Sequence, residues 1–173
     1  MPLSFSDYIS QPLIVKKKNS NIYDSLDLFK NEEKLCDNKW FCHNCKSHKK
    51  ASKQSILYKA PNYLIIHLKR FLLQKADFNT YKKNGIFMDF PINNFDLSNS
   101  VIGPDRKNAM YNLYGVVEHY GNLFFGHYVA KCKNFDNWYE YNDSFVKKIS
   151  KKEIITLNAY LLFYQKQVLD TEI

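Results

Sequence analysis

The chain has 173 residues, of which 45% are hydrophobic and 24% charged; this composition is typical of a soluble globular domain and excludes a mostly disordered chain. It contains no apolar run of about eighteen residues, and residues 1–18 lack the basic start and continuous apolar stretch of a signal peptide. We therefore predict a cytoplasmic or nuclear protein that neither spans a membrane nor is secreted.

The net charge of +8 arises from 25 Lys and Arg against 17 Asp and Glu. The lysines form short groups scattered over predicted turns and element ends, such as Lys82-Lys83 and Lys147-Lys148. Charge scattered in this way is typical of a solvated surface rather than of a nucleic-acid site. We predict no specific nucleic-acid partner.

The first part of the chain predicts an arm and a short helix. Residues 1–21 are polar, basic and weakly patterned, which predicts an extended arm. A helix is predicted over residues 22–29, with Asp24 or Ser25 capping its first turn. Its apolar residues recur at a helical spacing: Ile22, Leu26 and Phe29. A Cys-x-x-Cys turn follows.

The later part of the chain predicts an antiparallel sheet. The apolar run at residues 63–68 predicts a buried strand, and residues 74–85, which end in Asn-Gly, predict a mobile loop or hairpin tip. Further strands are predicted at residues 86–90, 110–119, 124–132, 138–142, 145–149 and 159–165. A short helix is predicted over residues 151–157. With no internal repeat, the chain is one domain or part of one.

Two of these strands carry side chains that a cysteine hydrolase requires. Such an enzyme needs a thiolate, an imidazole that accepts its proton and a polar group that orients the imidazole. His127 follows Gly126 at a strand start, and Asn142 ends the strand predicted to pair with it. Asp143 is the alternative to Asn142. Because neighbouring strand residues point to opposite faces, we expect only one of the two to contact the ring.

Cys132 is the cysteine nearest to His127 in the sequence. Strand residues are spaced about 3.3 Å apart, so the five-residue separation places Cys132 roughly 16 Å from His127 and on the opposite face. We predict that Cys132 is a structural thiol in the sheet and not a nucleophile.

Cys42 and Cys45 have the spacing of a metal or redox pair, which is more common than a disulfide in an intracellular chain. Two thiolates form half of a tetrahedral zinc site. Cys36 with His43 or His48 can complete an irregular set, and the alternative is a fold that has lost the metal. We expect no cofactor to be required, with zinc at Cys42 and Cys45 as the alternative.

Two longer blocks of sequence carry a family resemblance. The first comprises Trp40-Phe41-Cys42-His43-Asn44-Cys45-Lys46 and, after Pro61, Tyr63-Leu64-Ile65-Ile66-His67-Leu68-Lys69-Arg70-Phe71. The second comprises Leu113-Tyr114-Gly115-Val116-Val117, His119-Tyr120-Gly121, Gly126-His127-Tyr128, Trp138-Tyr139, Tyr141-Asn142-Asp143-Ser144 and Ala159-Tyr160-Leu161-Leu162-Phe163-Tyr164. In order and spacing, the two blocks resemble the ubiquitin-specific proteases, a papain-like family of deubiquitinases.

The resemblance implies an α+β, papain-like cysteine protease fold with a mostly antiparallel β palm, partial fingers and no thiol-bearing helical subdomain. It implies a catalytic-domain portion over residues 22–168, followed by a tail at residues 169–173. Within that portion, residues 36–60 are implied as a remnant of the fingers and residues 61–168 as the palm. The Cys-x-x-Cys pair matches one of the family's zinc-binding pairs.

The resemblance also implies roles for individual residues. His127 is implied as the general base, Asn142 as the residue that orients it, and Asp143 as a supporting group. The residues implied to border the ubiquitin tail are Tyr120, Gly121, Gly126 and Tyr128.

The function implied is that of a cysteine-type deubiquitinase acting after the C-terminal Gly-Gly of ubiquitin, together with a missing N-terminal half that bears the thiol. Its expected partners are ubiquitin or ubiquitinated proteins. The alternatives are a catalytically inactive ubiquitin-binding module of the same fold and a structural domain with a basic surface. The intact His127 and Asn142 pair favours the enzyme.

Overall fold

The computed structural model describes residues 19–73 and 81–168, apart from the side chains at 36–39, 72–73 and 105. Most of the predicted arm and the whole predicted tail therefore lie outside the described residues.

Seven strands form the central sheet, and all of its pairings are antiparallel, as predicted. Their bounds are Tyr63–His67 (β4), Phe95–Asp96 (β8), Met110–Gly121 (β9), Gly126–Asn134 (β10), Asn137–Asn142 (β11), Phe145–Ile149 (β12) and Ala159–Lys166 (β13). The order is β12-β11-β10-β9-β13-β4, and β8 pairs with the first part of β9.

Three two-stranded sheets surround the central one. Their strands are Asn19–Asn21 (β1) with Phe87–Asp89 (β7), Glu33–Cys42 (β2) with Ser47–Lys53 (β3), and Phe71–Leu73 (β5) with Tyr81–Lys83 (β6). β5 and β6 pair as antiparallel strands, so residues 81–83 of the predicted loop or hairpin tip form a strand, and residues 74–80 of it lie outside the described residues. The last three residues of the predicted arm form β1 and pair in parallel with β7, and the rest of the arm stays a prediction.

The predicted first helix is confirmed as α1, Ile22–Lys30. Its cap is Asn21, whose Oδ1 accepts from the Asp24 N–H at 2.8 Å, so the prediction of Asp24 or Ser25 as the cap was wrong. Ser25 is instead buried, with its hydroxyl 3.9 Å from Met88 Sδ. No helix in the described part of the chain is long and apolar enough to cross a membrane.

The predicted helix over residues 151–157 was wrong in extent, because only Lys151–Glu153 is helical, as one 3₁₀ turn. A capping box between Ser150 and Glu153 starts the turn. In a continuing α-helix the Glu153 carbonyl would accept from the backbone N–H four residues later. Here it accepts from Lys131 Nζ at 2.7 Å. A tertiary contact thus ends the helix after one turn.

The core lies on one face of the central sheet. Its members from the sheet and from α1 include Ile22, Leu26, Leu64, Ile66, Val116, Trp138 and Leu162. Val129 and Lys131 of β10 are also buried, at 4% and 3% exposure. His127 alternates in phase with them, so it stands at the end of the core-facing row of β10.

Candidate active site

His127 and Asn142 lie together at one end of two neighbouring strands of the central sheet, where β10 begins and β11 ends. His127 is the second residue of β10 and pairs in register with Tyr120 of β9. Asn142 is the last residue of β11 and lies on the same face of the sheet as His127. The His127 Nε2 and Asn142 Oδ1 atoms are 2.7 Å apart. The structure therefore brings the predicted base and its predicted orienting residue into direct contact.

This contact determines which imidazole nitrogen can act as a base. An amide oxygen can only accept a hydrogen bond, so Nε2 of His127 carries the hydrogen. In the neutral ring the other nitrogen, Nδ1, then has a free lone pair. The Asn142 contact thus leaves Nδ1 as the atom that can take a proton from a nucleophile.

Asp143 approaches the same nitrogen, but only Asn142 hydrogen-bonds to the ring, as predicted. The Asp143 Oδ2 lies 3.9 Å from His127 Nε2. The reason is not strand alternation, because β11 ends at Asn142 and Asp143 adopts a left-handed turn conformation with φ of 51°. Strand alternation does not apply to a residue in a turn. At this distance Asp143 contributes charge, whereas Asn142 makes the hydrogen bond.

The turn that joins β9 to β10 is held by its own backbone and by Asn122. The Asn122 N–H donates to the Phe125 carbonyl at 2.8 Å, and the Asn122 Oδ1 accepts from the Phe124 and Phe125 N–H groups at 2.9 and 2.8 Å. Gly121 begins the turn with φ of +100°, a conformation that side chains disfavour. The exposed Phe124 and Phe125 rings therefore stand on an ordered turn next to His127.

Gly126 allows β10 to start close to β9. A Cβ at this position would lie 2.1 Å from His119 Nε2 and 2.7 Å from the Tyr120 carbonyl oxygen. The second contact is with backbone, which cannot rotate away. Gly126 is therefore required for the path of the strand that carries His127.

Substituting Gly126 with alanine is expected to lower the free energy of unfolding by about 1–3 kcal/mol through overpacking. Gly85→Ala is the matched control, because nothing lies within 4 Å of a Cβ built at Gly85, and it is expected to change stability by less than about 0.5 kcal/mol. Urea unfolding of both variants measures the difference. Equal stability of the two would show that the close approach at Gly126 is relieved without cost.

The two tyrosines predicted to bind substrate lie on opposite faces of the sheet. Tyr120 pairs with His127 and shares its face, and its hydroxyl donates to Glu118 Oε2 at 2.9 Å. Tyr128 pairs with His119 on the other face and is 56% exposed. The structure thus places Tyr120 beside the imidazole and Tyr128 in a separate aromatic group. Their role in substrate binding stays a prediction.

That aromatic group combines side chains from four strands, and sequence reasoning did not find it. The rings of Phe71 and Tyr128 lie 5.3 and 4.8 Å from His119, and the Tyr160 ring lies 5.7 Å from it. His119 is 3% exposed, and burial together with the nearby Lys83 lowers the pKa of its imidazole. Only the register of the sheet, which one sequence does not reveal, brings these residues together.

Cys132 occupies the position predicted for a structural thiol. It pairs with Gly115 at the far side of β10 from His127, and its Sγ lies against the position that a Gly115 Cβ would take. Partial burial raises the pKa of the thiol. A protonated thiol five strand positions away cannot act as a nucleophile for His127.

Cys42 is the last residue of β2 and Cys45 lies in the turn that leads to β3, and both are free thiols. The Cys45 backbone N–H is the main group that lowers the pKa of the Cys42 thiol. Among the described residues, no group of three or more His, Cys, Asp or Glu side chains is arranged to hold a metal ion. The two sulfurs supply half of a zinc ligand set, and zinc binding here stays a prediction.

Comparison with known proteins gives a consistent result. A model of the ubiquitin carboxyl-terminal hydrolase family matches residues 10–164. Ubiquitin carboxyl-terminal hydrolase 15 of Homo sapiens is 40% identical over 157 residues, which are 88% of this chain and 16% of that protein. Ubiquitin carboxyl-terminal hydrolase 9 of Arabidopsis thaliana is 38% identical over 162 residues, which are 91% of this chain and 17% of that protein.

Solved structures also match. The SAGA Ubp8/Sgf11/Sus1/Sgf73 DUB module bound to ubiquitin aldehyde contains a chain with a TM-score of 0.69 and 34% identity, over 87% of this chain and 34% of that one. The Ubp8-Sgf11-Sgf73-Sus1 SAGA DUB module contains a chain with a TM-score of 0.68 and 32% identity, over 88% of this chain and 32% of that one.

This chain spans 16–17% of the length of these two curated relatives and about a third of the chains in the solved structures. Within that span the identity is 38–40% to the curated relatives and 32–34% to the chains in the solved structures. The described residues are mostly strands with few helices, as expected of a partial papain-like α+β fold. The chain therefore belongs to the ubiquitin carboxyl-terminal hydrolase family, among the ubiquitin-specific proteases.

Proposed function

We propose that this chain is the C-terminal part of a deubiquitinase catalytic domain, and that it supplies the general base to a thiol carried outside this chain. The observation that carries the proposal is the 2.7 Å contact between His127 Nε2 and Asn142 Oδ1. An imidazole oriented by a neutral amide is the arrangement that a thiol protease needs.

In the proposed reaction His127 Nδ1 takes the proton of the thiol, and the thiolate attacks the carbonyl carbon of the last glycine of ubiquitin. The C–N bond to the substrate amine breaks, and the amine leaves with the proton from His127. A thioester remains. His127 then takes a proton from water, whose oxygen attacks the thioester, and the C–S bond breaks to release ubiquitin and restore the thiol.

The residues around His127 support parts of this scheme. Asn142 accepts from Nε2 and so leaves Nδ1 of the neutral ring unprotonated. Asp143, whose Oδ2 lies 3.9 Å from Nε2, is proposed to polarise the water or the oxyanion region. The ordered turn between Gly121 and Gly126 is proposed to border the ubiquitin tail.

We expect a ubiquitin probe with a C-terminal vinyl electrophile to form no adduct with this chain alone. It should form an adduct when the chain is combined with a segment that carries the family's thiol, because His127 then activates that thiol. Gel shift and mass spectrometry identify the modified residue. An adduct on Cys132 of the isolated chain would contradict the proposal.

The alternative is an inactive ubiquitin-binding module of the same fold. Titration of the labelled chain with ubiquitin, followed by NMR, measures binding independently of chemistry. Binding without any adduct in the assembled domain would favour this alternative. Absence of both binding and adduct formation in the assembled domain would contradict both functions.

A further inference from the structure

A charged pair is buried on the face of the central sheet that carries His127 and Asn142. Glu118 of β9 is 0% exposed, and Lys131 of β10 is 3% exposed. The Lys131 Nζ donates to the Glu118 Oε1 at 2.9 Å. Neither residue has a part in the reaction scheme described above.

Both ends of this pair are tied to neighbouring groups. The Tyr120 hydroxyl donates to Glu118 Oε2 at 2.9 Å, and the Thr156 hydroxyl donates to Glu118 Oε1. The Lys131 Nζ also donates to the Glu153 carbonyl at 2.7 Å. Each carboxylate oxygen of Glu118 therefore has a donor. A network with its members satisfied in this way has one well-defined geometry.

The network lies on the same face of the sheet as the catalytic pair. In the β9–β10 register His127 pairs with Tyr120, and Val129 pairs with Glu118, two positions further along. Lys131 follows at the next position on that face. Directly opposite residues have Cβ atoms about 4.5–5.5 Å apart, so the Tyr120 and His127 side chains start from neighbouring positions on this face.

Tyr120 is bonded to this network and is also the residue of β9 that pairs directly with His127. Its hydroxyl remains a donor to Glu118 at neutral pH, because burial and the Glu118 carboxylate raise its pKa to about 12. The hydroxyl is turned inward, away from the turn that precedes His127.

Stability alone does not account for such a pair. Removing two charges from water costs several kcal/mol, and apolar residues of similar volume often stabilise a core as well or better. What the ionic network adds is a fixed position for the side chains that bond to it. The side chain fixed nearest to the active site is Tyr120.

We propose that Glu118 and Tyr120 are positioning residues for His127, with Lys131 as the counter-ion that neutralises the buried Glu118 carboxylate. The acceptor at Glu118 holds the Tyr120 ring in one rotamer through its hydroxyl, and the ring confines the imidazole to the orientation that bonds Asn142. The catalytic consequence rests on the proposed function. The orientation itself does not, since it is a property of this chain alone.

The test compares two double variants of the labelled chain by NMR. Glu118→Leu with Lys131→Met replaces the pair by apolar side chains and removes the acceptor of Tyr120. Glu118→Gln with Lys131→Met also removes both charges but keeps an amide oxygen for the Tyr120 hydroxyl. Three-bond couplings to the ring carbon Cγ report the χ1 rotamers of Tyr120 and His127, and urea unfolding shows that each variant is folded.

In the unsubstituted chain both side chains are expected in one rotamer. The Leu/Met variant should populate a second rotamer of both, to at least about a third for His127. In the Gln/Met variant Tyr120 and His127 should each keep the single rotamer of the unsubstituted chain. Tyr141→Phe, a change on the opposite face next to Asn142, is the matched control and should alter neither side chain.

Two results would overturn the proposal. One is a His127 rotamer that stays single in the Leu/Met variant although that of Tyr120 becomes averaged. The other is averaging of His127 in the Gln/Met variant to the same degree as in the Leu/Met variant. Because no activity is measured, either result leaves the proposed deubiquitinase function untouched, and loss of that function would leave the rotamer result standing.

Discussion

Replacing His127 with alanine is expected to lower turnover of the assembled catalytic domain by at least about a thousandfold. A thiol without a base is mostly protonated at neutral pH and is a weak nucleophile, and the leaving amine then has no proton donor. The His127 side chain is 47% exposed, so its removal leaves no large cavity, and the variant should fold and bind ubiquitin normally. Hydrolysis of a ubiquitin C-terminal fluorogenic amide measures the loss.

Lys133→Ala is the control for this change. Lys133 is exposed and lies on the same strand, near the end opposite to His127. Its substitution should leave turnover within about twofold, as expected of a surface change remote from the site. Full activity of His127→Ala, with ubiquitin binding retained, would remove the base from the proposed mechanism.

The strands of the central sheet could be predicted because each is a short run rich in apolar residues, a pattern that needs no knowledge of the partner strand. The apolar run at residues 63–68 was predicted to be a buried strand, but in β4 Leu64 and Ile66 are buried while Tyr63 and Ile65 are exposed. The segment 86–90 was also predicted as a strand, but its parallel partner at residues 19–21 was not. That partner is short and polar, and pairing across such a distance leaves no mark in a single sequence.

The second helix illustrates the opposite case. Ser150 and Glu153 form the capping box that starts a helix, and the sequence after them permits more turns. The helix ends after one turn because Lys131 Nζ donates a hydrogen bond to the Glu153 carbonyl. Local preference predicted where the helix begins, and a contact from another strand determines where it ends.

The site shows the same division. His127 and Asn142 were predicted together because one lies at the start and the other at the end of two strands that form one hairpin. The structure confirms that they are in contact. The prediction that only one of Asn142 and Asp143 contacts the ring directly is confirmed, but strand alternation is not the reason, because the strand ends one residue before Asp143. Glu118 and Lys131 were not predicted as a pair, because two charges within separate apolar runs reveal their contact only when the register places them diagonally on one face of the sheet.

Substitution of Asn142 is expected to give the second-largest loss and to rank the two polar neighbours of the imidazole. Asn142→Ala removes the acceptor at 2.7 Å, so the ring can rotate and either nitrogen can carry the hydrogen. Turnover should fall by about a hundredfold to ten-thousandfold, the range seen when the orienting member of a triad is lost. The Michaelis constant should change little, because Asn142 acts through His127 and not on the substrate.

Two companion variants make the assignment specific. Asn142→Asp keeps an oxygen acceptor of the same size, so it should retain more turnover than Asn142→Ala. Asp143→Ala removes a carboxylate at 3.9 Å that is 79% exposed, and its effect should stay within about tenfold. The fluorogenic assay compares all three. If Asp143→Ala costs more than Asn142→Ala, the carboxylate rather than the amide orients the base, and the hydrogen bond seen here is not the one that catalysis uses.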